Sequence, residues 1–157
     1  MQFQQKITPF LSFQSQAEEA AEFYVSVLPD SRILKKLPHP DTGQMLTVEF
    51  ELAGMTFVAL NTGAEWEFTN AVSLAVACET QEEIDTLWEQ LSADGGEKIQ
   101  CGWLKDKFGV PWQIVPRALG GWLGGPDAKK TQRVLHAVWG MTKLEIAALE
   151  SAYAADP

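Results

Sequence analysis

The sequence contains few of the residues that build disulfide frameworks and metal centres. Among its 157 residues, only two are cysteine and two are histidine. Cys78 and Cys101 form neither a disulfide framework nor the spacing of zinc ligands, so we interpret both as reduced and mostly buried thiols. His39 lies between two prolines and His136 lies on a predicted helix. Neither has a partner histidine four residues later, so we expect structural or solvated roles for both.

Positive charge and long apolar runs are also scarce. Lys and Arg number 12 against 21 Asp and Glu, which gives a formal net charge of −9. This charge repels phosphate backbones and anionic headgroups, so we expect neither nucleic acid nor a membrane surface as a partner. No apolar run approaches the roughly 20 residues that span a bilayer, and the start, MQFQQKI, lacks the apolar core of a secretory signal. We therefore expect a cytoplasmic protein.

The order of the predicted elements occurs twice along the chain. In each half, a strand precedes a Ser/Thr-x-x-Glu capping box and an amphipathic helix, and three strands follow. The first half contains a strand at Ile7–Phe13, a helix from the box Ser15–Glu18 to about Leu28, and strands at Arg32–Leu37, Met45–Leu52 and Met55–Leu60. The second contains a strand at Ala71–Cys78, a helix from the box Thr80–Glu83 with the stripe Ile84, Leu87, Trp88 and Leu91, a weak strand at Glu97–Gln100, and a hairpin over Cys101–Pro116. We therefore expect one domain over residues 1–157, with module one at 5–61, module two at 70–116 and a C-terminal helical extension at 118–155.

The predicted hairpin carries the strongest local signal. Its turn, Asp106–Gly109, combines an aspartate that bonds its own backbone with a glycine that supplies a positive φ. In the second arm, strand alternation predicts that Trp112 faces the core together with the apolar residues two positions away on either side. Gln113 then faces the opposite side. A slip of one residue, or a bulge at Pro111, would exchange the two faces.

The extension is predicted to be helical and to take part in association. Asp127 opens one helix and Gly140 closes it. A third capping box at Thr142–Glu145 leads a last helix with Ile146, Leu149 and Tyr153 facing inward. This stripe has to be buried on a sheet or on a partner chain, and we expect a homodimer, since two-fold dimers are the commonest assembly.

The repeated module resembles the vicinal oxygen chelate superfamily, which includes glyoxalase and bleomycin-resistance proteins. Five segments are similar to the PhnB-like, 3-demethylubiquinone-9 3-methyltransferase-like family: ITPFLSF, AEEAAEFY, SLAVACETQEEIDTLWEQLS, CGWLKDKFGVPWQIVP and KTQRVLHAVWGMTKLEIAALESAY. The resemblance implies an α+β fold in which two βαβββ modules form a curved mixed sheet around a cleft, with C-terminal helices added. No glycine-rich turn follows the first predicted strand, so the usual doubly wound S-adenosylmethionine fold is not predicted.

Metal-dependent members of the superfamily hold a divalent ion with His and Glu side chains from four strands. The corresponding positions here are Thr8 or Pro9, Leu60 or Asn61, Ala71, and Gln113. None is an ionisable ligand that would offset the desolvation of a divalent cation. We therefore expect no metal site and no cofactor.

Six residues are candidates for binding a small-molecule ligand, and each has a structural alternative. Gln113 either orients a ligand or is a polar group in a wet cleft, and Ser73 either binds or keeps that cleft open. Asn61, Trp66 and Phe68 lie in or beside the connection between modules, where they form a pocket rim or fill the core. The sixth, Trp103, is expected to pack more than to bind.

The sequence thus predicts a protein that binds a small, partly apolar molecule in the cleft between its modules. It assigns no reaction to that site. One alternative is an enzyme, a transferase or isomerase that uses Ser73, Asn61 and Gln113 in place of a metal. Another is a structural or interaction protein with a vestigial cleft. The enzyme needs a group of suitable pKa within reach of its substrate, and the interaction protein needs no enclosed pocket.

Overall fold

The computed structural model describes residues 3–156, which form two compact units. Unit one ends at Glu67 and unit two begins at Phe68. Each unit contains one βαβββ module built on a four-stranded mixed sheet, so the predicted α+β class with two such modules is confirmed. Within the described range, no helix is long and apolar enough to cross a membrane.

In unit one, a single helix covers one face of the sheet. The elements are β1 (Phe10–Phe13), α1 (Ala17–Val27), β2 (Arg32–Pro38), β3 (Met45–Leu52) and β4 (Met55–Asn61), with strand order β1-β4-β3-β2. β1 runs parallel to β4, and the other pairs are antiparallel. The small residues Ala17, Ala20 and Ala21 let α1 approach the sheet closely, and Tyr24 packs near Phe50. The amphipathic helix predicted after the first strand is therefore confirmed.

Unit two repeats this order and adds three helices. Its elements are β5 (Leu74–Cys78), α2 (Gln81–Leu91), β6 (Glu97–Lys98), β7 (Trp103–Lys105), β8 (Pro111–Pro116), α3 (Leu119–Leu123), α4 (Ala128–Trp139) and α5 (Ile146–Ala154). The strand order is β5-β8-β7-β6, with β5 parallel to β8. All four residues of the predicted stripe of α2 are buried, as expected for a helix whose apolar face packs on a sheet.

Three predicted strands are shorter in the structure. β1 begins at Phe10, and Ile7 is 82% exposed. The side chain of Gln5 hydrogen-bonds both the N–H and the C=O of Thr56, so these β4 groups have partners without a longer β1. β5 begins at Leu74 after an exposed Val72, and β6 contains only Glu97–Lys98.

Of the three predicted capping boxes, only the second supplies a cap from its own residues. Thr80 Oγ1 accepts from Glu83 N–H at 3.1 Å. At α1 the first-turn N–H of Ala17 donates instead to Asn61 Oδ1, at 2.9 Å, and Ser15 makes no cap. At α5, which begins at Ile146, Gln81 Oε1 accepts from Ile146 N–H at 2.8 Å. The first and third boxes were therefore wrong, because the helices begin later than predicted. Their N-caps are Gln16 and Glu145, and an amide side chain from another element accepts from the first helical N–H of each.

The helical extension is joined to the module by backbone and side-chain bonds. The N–H groups of Cys101 and Gly102 donate to the C=O groups of Met141 and Thr142, each at 2.8 Å. The extension has a core of four buried residues, Val134, Val138, Leu144 and Leu149. The extension is thus an integral part of unit two.

Glycine at position 102 is required by this junction. Its φ is +80°, and a Cβ there would lie 2.9 Å from Ile114 O and 3.0 Å from Leu144 Cγ. We expect Gly102→Ala to lower the free energy of unfolding by about 2–4 kcal/mol, through the positive φ and the overlap together. Gly109→Ala is the matched control, since its φ is +86° and a Cβ would meet no atom within 4 Å. Urea denaturation giving equal losses for both variants would contradict this account.

The apolar stripe of α5, which suggested a homodimer, has its central residue Leu149 buried within the same chain. Leu149 has no exposed surface within the single chain, because the extension buries it in its own core. The homodimer stays a prediction, and we expect sedimentation to show a species of twice the 17.4 kDa chain mass. A single species of the chain mass at micromolar concentration would contradict it.

Candidate functional site

One face of the unit-two sheet brings three of the predicted site residues together. Trp103 and Gln113 are direct partners across the antiparallel pair β7–β8, so their side chains lie side by side on the same face. Gln113 Nε2 donates to Ser73 Oγ at 2.9 Å. All three side chains are half-buried. We call Ser73, Trp103 and Gln113 the amide face.

The opposite face of β8 belongs to the core. Val110, Trp112 and Ile114 are at most 2% exposed. Strand alternation therefore places Trp112 and Gln113 on opposite sides, as the sequence predicted. No one-residue slip and no bulge exchanges the two faces.

The turn before β8 holds this geometry through one buried carboxylate. Asp106 Oδ1 accepts from the N–H groups of Phe108 and Val110, at 2.9 and 3.0 Å, and its Oδ2 accepts from Trp112 Nε1 at 2.9 Å. Gly109 has a φ of +86°, and its N–H donates to Asp106 O. The predicted turn is confirmed. Sequence reasoning had missed the bond to Trp112, which fixes the position of the indole.

Of the other three candidate residues, Asn61 and Trp66 belong to unit one and Phe68 to unit two. Asn61 lies in unit one on the side of α1, where its Oδ1 accepts from Ala17 N–H and its Nδ2 donates to Met45 O. Trp66, also in unit one, is 64% exposed. Phe68 begins unit two and is half-buried.

The side chains at the superfamily's metal positions do not fit a divalent ion. By alternation with Asn61, Leu60 is the β4 residue that faces away from α1, and it has no donor atom. The Asn61 carboxamide is bonded on both sides to backbone groups, and Ala71 offers only a methyl group. Among residues 3–156, no three His, Cys, Asp or Glu side chains form a group that could hold a metal. We derive no chemistry through a metal for this chain.

Unit one contains a cavity that the sequence did not indicate. Its volume is about 570 Å³, and it lies at the start of α1, beside the loop between β2 and β3. The lining is mostly hydroxyl, amide and imidazole groups: Gln14, Ser15, Glu18, His39, Thr42, Gln44, Met45, Leu46, Asn61, Thr62 and Gly63. His39 Nδ1 accepts from Asp41 N–H at 3.2 Å, so the predicted structural role of this histidine in the loop is supported.

Unit two contains a second, smaller cavity at the ends of β5 and β8. Its volume is about 270 Å³, and its lining residues are Cys78, Glu79, Pro116, Arg117, Ala118, Trp122, Ile146 and Glu150. Half of these residues, Ala118, Trp122, Ile146 and Glu150, belong to the extension. We call it the extension cavity.

Cys78 forms part of the wall of the extension cavity as an inert thiol. It is 1% exposed, and burial, together with the charges of Glu83 and Glu79, raises its pKa from 9.0 to about 12. At pH 8 the thiolate, which is the nucleophile, is therefore almost absent. We expect iodoacetamide to leave Cys78 unmodified in the native protein and to modify it after unfolding in urea, as read by peptide mass spectrometry. Rapid native modification would show that the site opens.

Because the pKa of Cys78 is raised in the folded state, the free energy of unfolding falls as the pH rises through the alkaline range. The folded state holds the Cys78 proton more tightly than the unfolded state does, so this contribution is complete below pH 9 and is lost as the pH rises towards 12.

Comparison with known proteins identifies the relatives of this fold. The sequence profile of the family described as 3-demethylubiquinone-9 3-methyltransferase matches residues 5–115. The solved PhnB protein of Bacillus cereus is 36% identical, has a TM-score of 0.66, and is matched over 99% of its length by 71% of this chain. A search of curated proteins gave no match.

Two more distant structures share the fold alone. A Pseudomonas aeruginosa protein is 20% identical with a TM-score of 0.61, over 71% of this chain and 97% of its own. The fosfomycin resistance protein FosX of Listeria monocytogenes is 14% identical with a TM-score of 0.52, over 73% and 94%. The glyoxalase-like fold expected from the sequence is confirmed. The chain belongs to the 3-demethylubiquinone-9 3-methyltransferase family, as does the PhnB protein that it resembles.

Proposed function

We propose that the protein binds a small, partly apolar molecule on the amide face. The observation that carries this is the bond from Gln113 Nε2 to Ser73 Oγ at 2.9 Å, which holds the amide beside Trp103. Within residues 3–156, no donor reaches Gln113 Oε1, so this oxygen is available as an acceptor. The Ser73 hydroxyl proton is available as a donor. Trp103 supplies an apolar surface next to both groups.

This arrangement suits a neutral ring that carries oxygen substituents. A ring hydroxyl can donate to Gln113 Oε1, a ring carbonyl can accept from Ser73, and the ring can lie against Trp103. A demethylubiquinone, after which the family is described, has a ring of this kind. The match supports a quinone or quinol as the ligand class.

The proposal is for binding and does not extend to methyl transfer. The usual S-adenosylmethionine fold is a doubly wound parallel sheet with a glycine-rich turn after its first strand. Both sheets here are mixed, and Gln14-Ser15-Gln16 follows β1. An enzyme of another reaction, the alternative left by the sequence, would need a group of suitable pKa beside the bound ring.

The test uses a hydroxy-methoxy-methyl benzoquinone, which is the demethylated ring without its isoprenoid tail, and the corresponding quinol, in calorimetric titrations. We expect saturable binding that Gln113→Leu weakens by roughly 2- to 10-fold, the value of one net hydrogen bond. Gln90→Leu, at an exposed position of α2, is the control and leaves binding unchanged. Absence of binding in the wild-type protein, or equal binding by both variants, would refute the proposal. Methylation of the quinol in the presence of S-adenosylmethionine would establish the enzyme instead.

A further inference from the structure

The charged side chains that line the extension cavity are two glutamates and one arginine, so their net charge is negative. Glu79 and Arg117 form an ion pair with each other at the cavity. The carboxylate of Glu150 forms no hydrogen bond or ion pair with any residue between positions 3 and 156. The three charged groups therefore sum to one uncompensated negative charge, and it resides on Glu150.

The remaining wall of the cavity is apolar and aromatic. Pro116, Ile146 and the protonated thiol of Cys78 offer no charge, and Trp122 provides a large aromatic surface. The ring of Trp122 lies 6.4 Å from that of Tyr153, measured between centroids. The ammonium of Lys130 lies 4.8 Å from the Tyr153 centroid, so the ring next to Trp122 already holds a cation.

We propose that the extension cavity binds a small organic cation, an alkylammonium with an apolar body. Glu150 balances the positive charge, and Trp122 and Ile146 cover the alkyl groups. An anion is disfavoured because it would lie near the carboxylates of Glu79 and Glu150. A neutral apolar molecule would gain nothing from the Glu150 carboxylate.

The cavity is large enough for a small organic ligand. Its volume is about 270 Å³, which accommodates a choline-sized molecule. The family profile ends at residue 115, and all lining residues except Cys78 and Glu79 follow that position. The cation site is therefore a property of the extension and is independent of the amide face.

The test compares choline with dimethylbutanol, its neutral carbon analogue, and with acetate. Binding is followed at constant ionic strength by amide chemical shifts of the full-length protein. We expect choline to saturate at millimolar concentration and to shift the amides of the extension. Dimethylbutanol should bind more weakly by about threefold or more, because it lacks the positive charge that the Trp122 ring and the Glu150 carboxylate attract.

Two glutamate variants separate a specific site from general attraction by an acidic protein. We expect Glu150→Gln to weaken choline binding about three- to tenfold and to leave dimethylbutanol binding unchanged. Glu97→Gln removes the same charge from β6, at the other edge of the sheet from β5, and should change nothing. Both positions are exposed, so neither variant should unfold the protein.

A third variant tests the aromatic wall. We expect Trp122→Phe to keep part of the choline affinity and Trp122→Leu to lose more of it. Equal binding of choline and dimethylbutanol, preferential binding of acetate, no saturation by choline, or equal effects of Glu150→Gln and Glu97→Gln would each overturn the proposal.

Discussion

Trp112→Ala is expected to lower the free energy of unfolding by about 3–5 kcal/mol, which is the usual cost of truncating a buried aromatic residue. Trp112 is 1% exposed, and its Nε1 donates to the buried carboxylate of Asp106. Truncation leaves a large void in the core and removes the partner of Asp106 Oδ2. Because a domain is stable by only about 5–15 kcal/mol, the variant should melt at a much lower temperature.

The neighbouring residue provides the control for this experiment. Gln113→Ala changes a half-buried residue on the other face of β8 and removes one bond, to Ser73, so it should cost about 1 kcal/mol or less. Urea denaturation and thermal melting followed by circular dichroism measure both variants. If Trp112→Ala were as stable as the wild-type protein while Gln113→Ala unfolded, the two faces of β8 would be the reverse of those described.

Asp106→Ala is expected to be comparably damaging although it removes only a small side chain. The carboxylate accepts three hydrogen bonds, from Phe108 N–H, Val110 N–H and Trp112 Nε1. Asp106 is 2% exposed, so water cannot readily replace it. A buried donor left without an acceptor costs about 1–3 kcal/mol, and three such donors bring the expected loss to about 3–5 kcal/mol after relaxation.

Two further variants separate the buried bonds from a general effect of losing an aspartate. Asp106→Asn keeps one acceptor oxygen but sets an N–H₂ group against a donor, so we expect an intermediate loss. Asp127→Ala removes an exposed aspartate whose Oδ1 caps α4 by accepting from the N–H groups of Lys129 and Lys130, and it should cost about 1 kcal/mol. Equal losses for Asp106→Ala and Asp127→Ala, measured by urea denaturation, would contradict this explanation.

Elements whose determinants are local could be predicted from the sequence. The apolar stripe of α2, its cap at Thr80 and the alternation along β8 all depend on residues within a few positions of one another. The strand-helix-strand order of the two modules followed from such local signals, and so did the sides to which Trp112 and Gln113 point.

Features that depend on distant partners could not be predicted. The apolar run at Ile7 has the composition of a strand, but Gln5 hydrogen-bonds the Thr56 groups that a longer β1 would use. Asn61 was a candidate for ligand binding because of its place on the fourth strand. Its side-chain amide instead accepts from Ala17 N–H and donates to Met45 O. The extension cavity joins residues as far apart as Cys78 and Glu150, which no sequence pattern connects.

The caps supplied by Asn61 and Gln81 affect the order in which the chain can fold. Thr80 lies three residues from the N–H it accepts, so the start of α2 can form as soon as that segment is made. Asn61 is 44 residues from Ala17, and Gln81 is 65 residues from Ile146. Closing such long loops lowers the chain entropy before the new contacts contribute any favourable free energy. We therefore expect the first turns of α1 and α5 to become fixed late, only after β4 and α2 have reached their places.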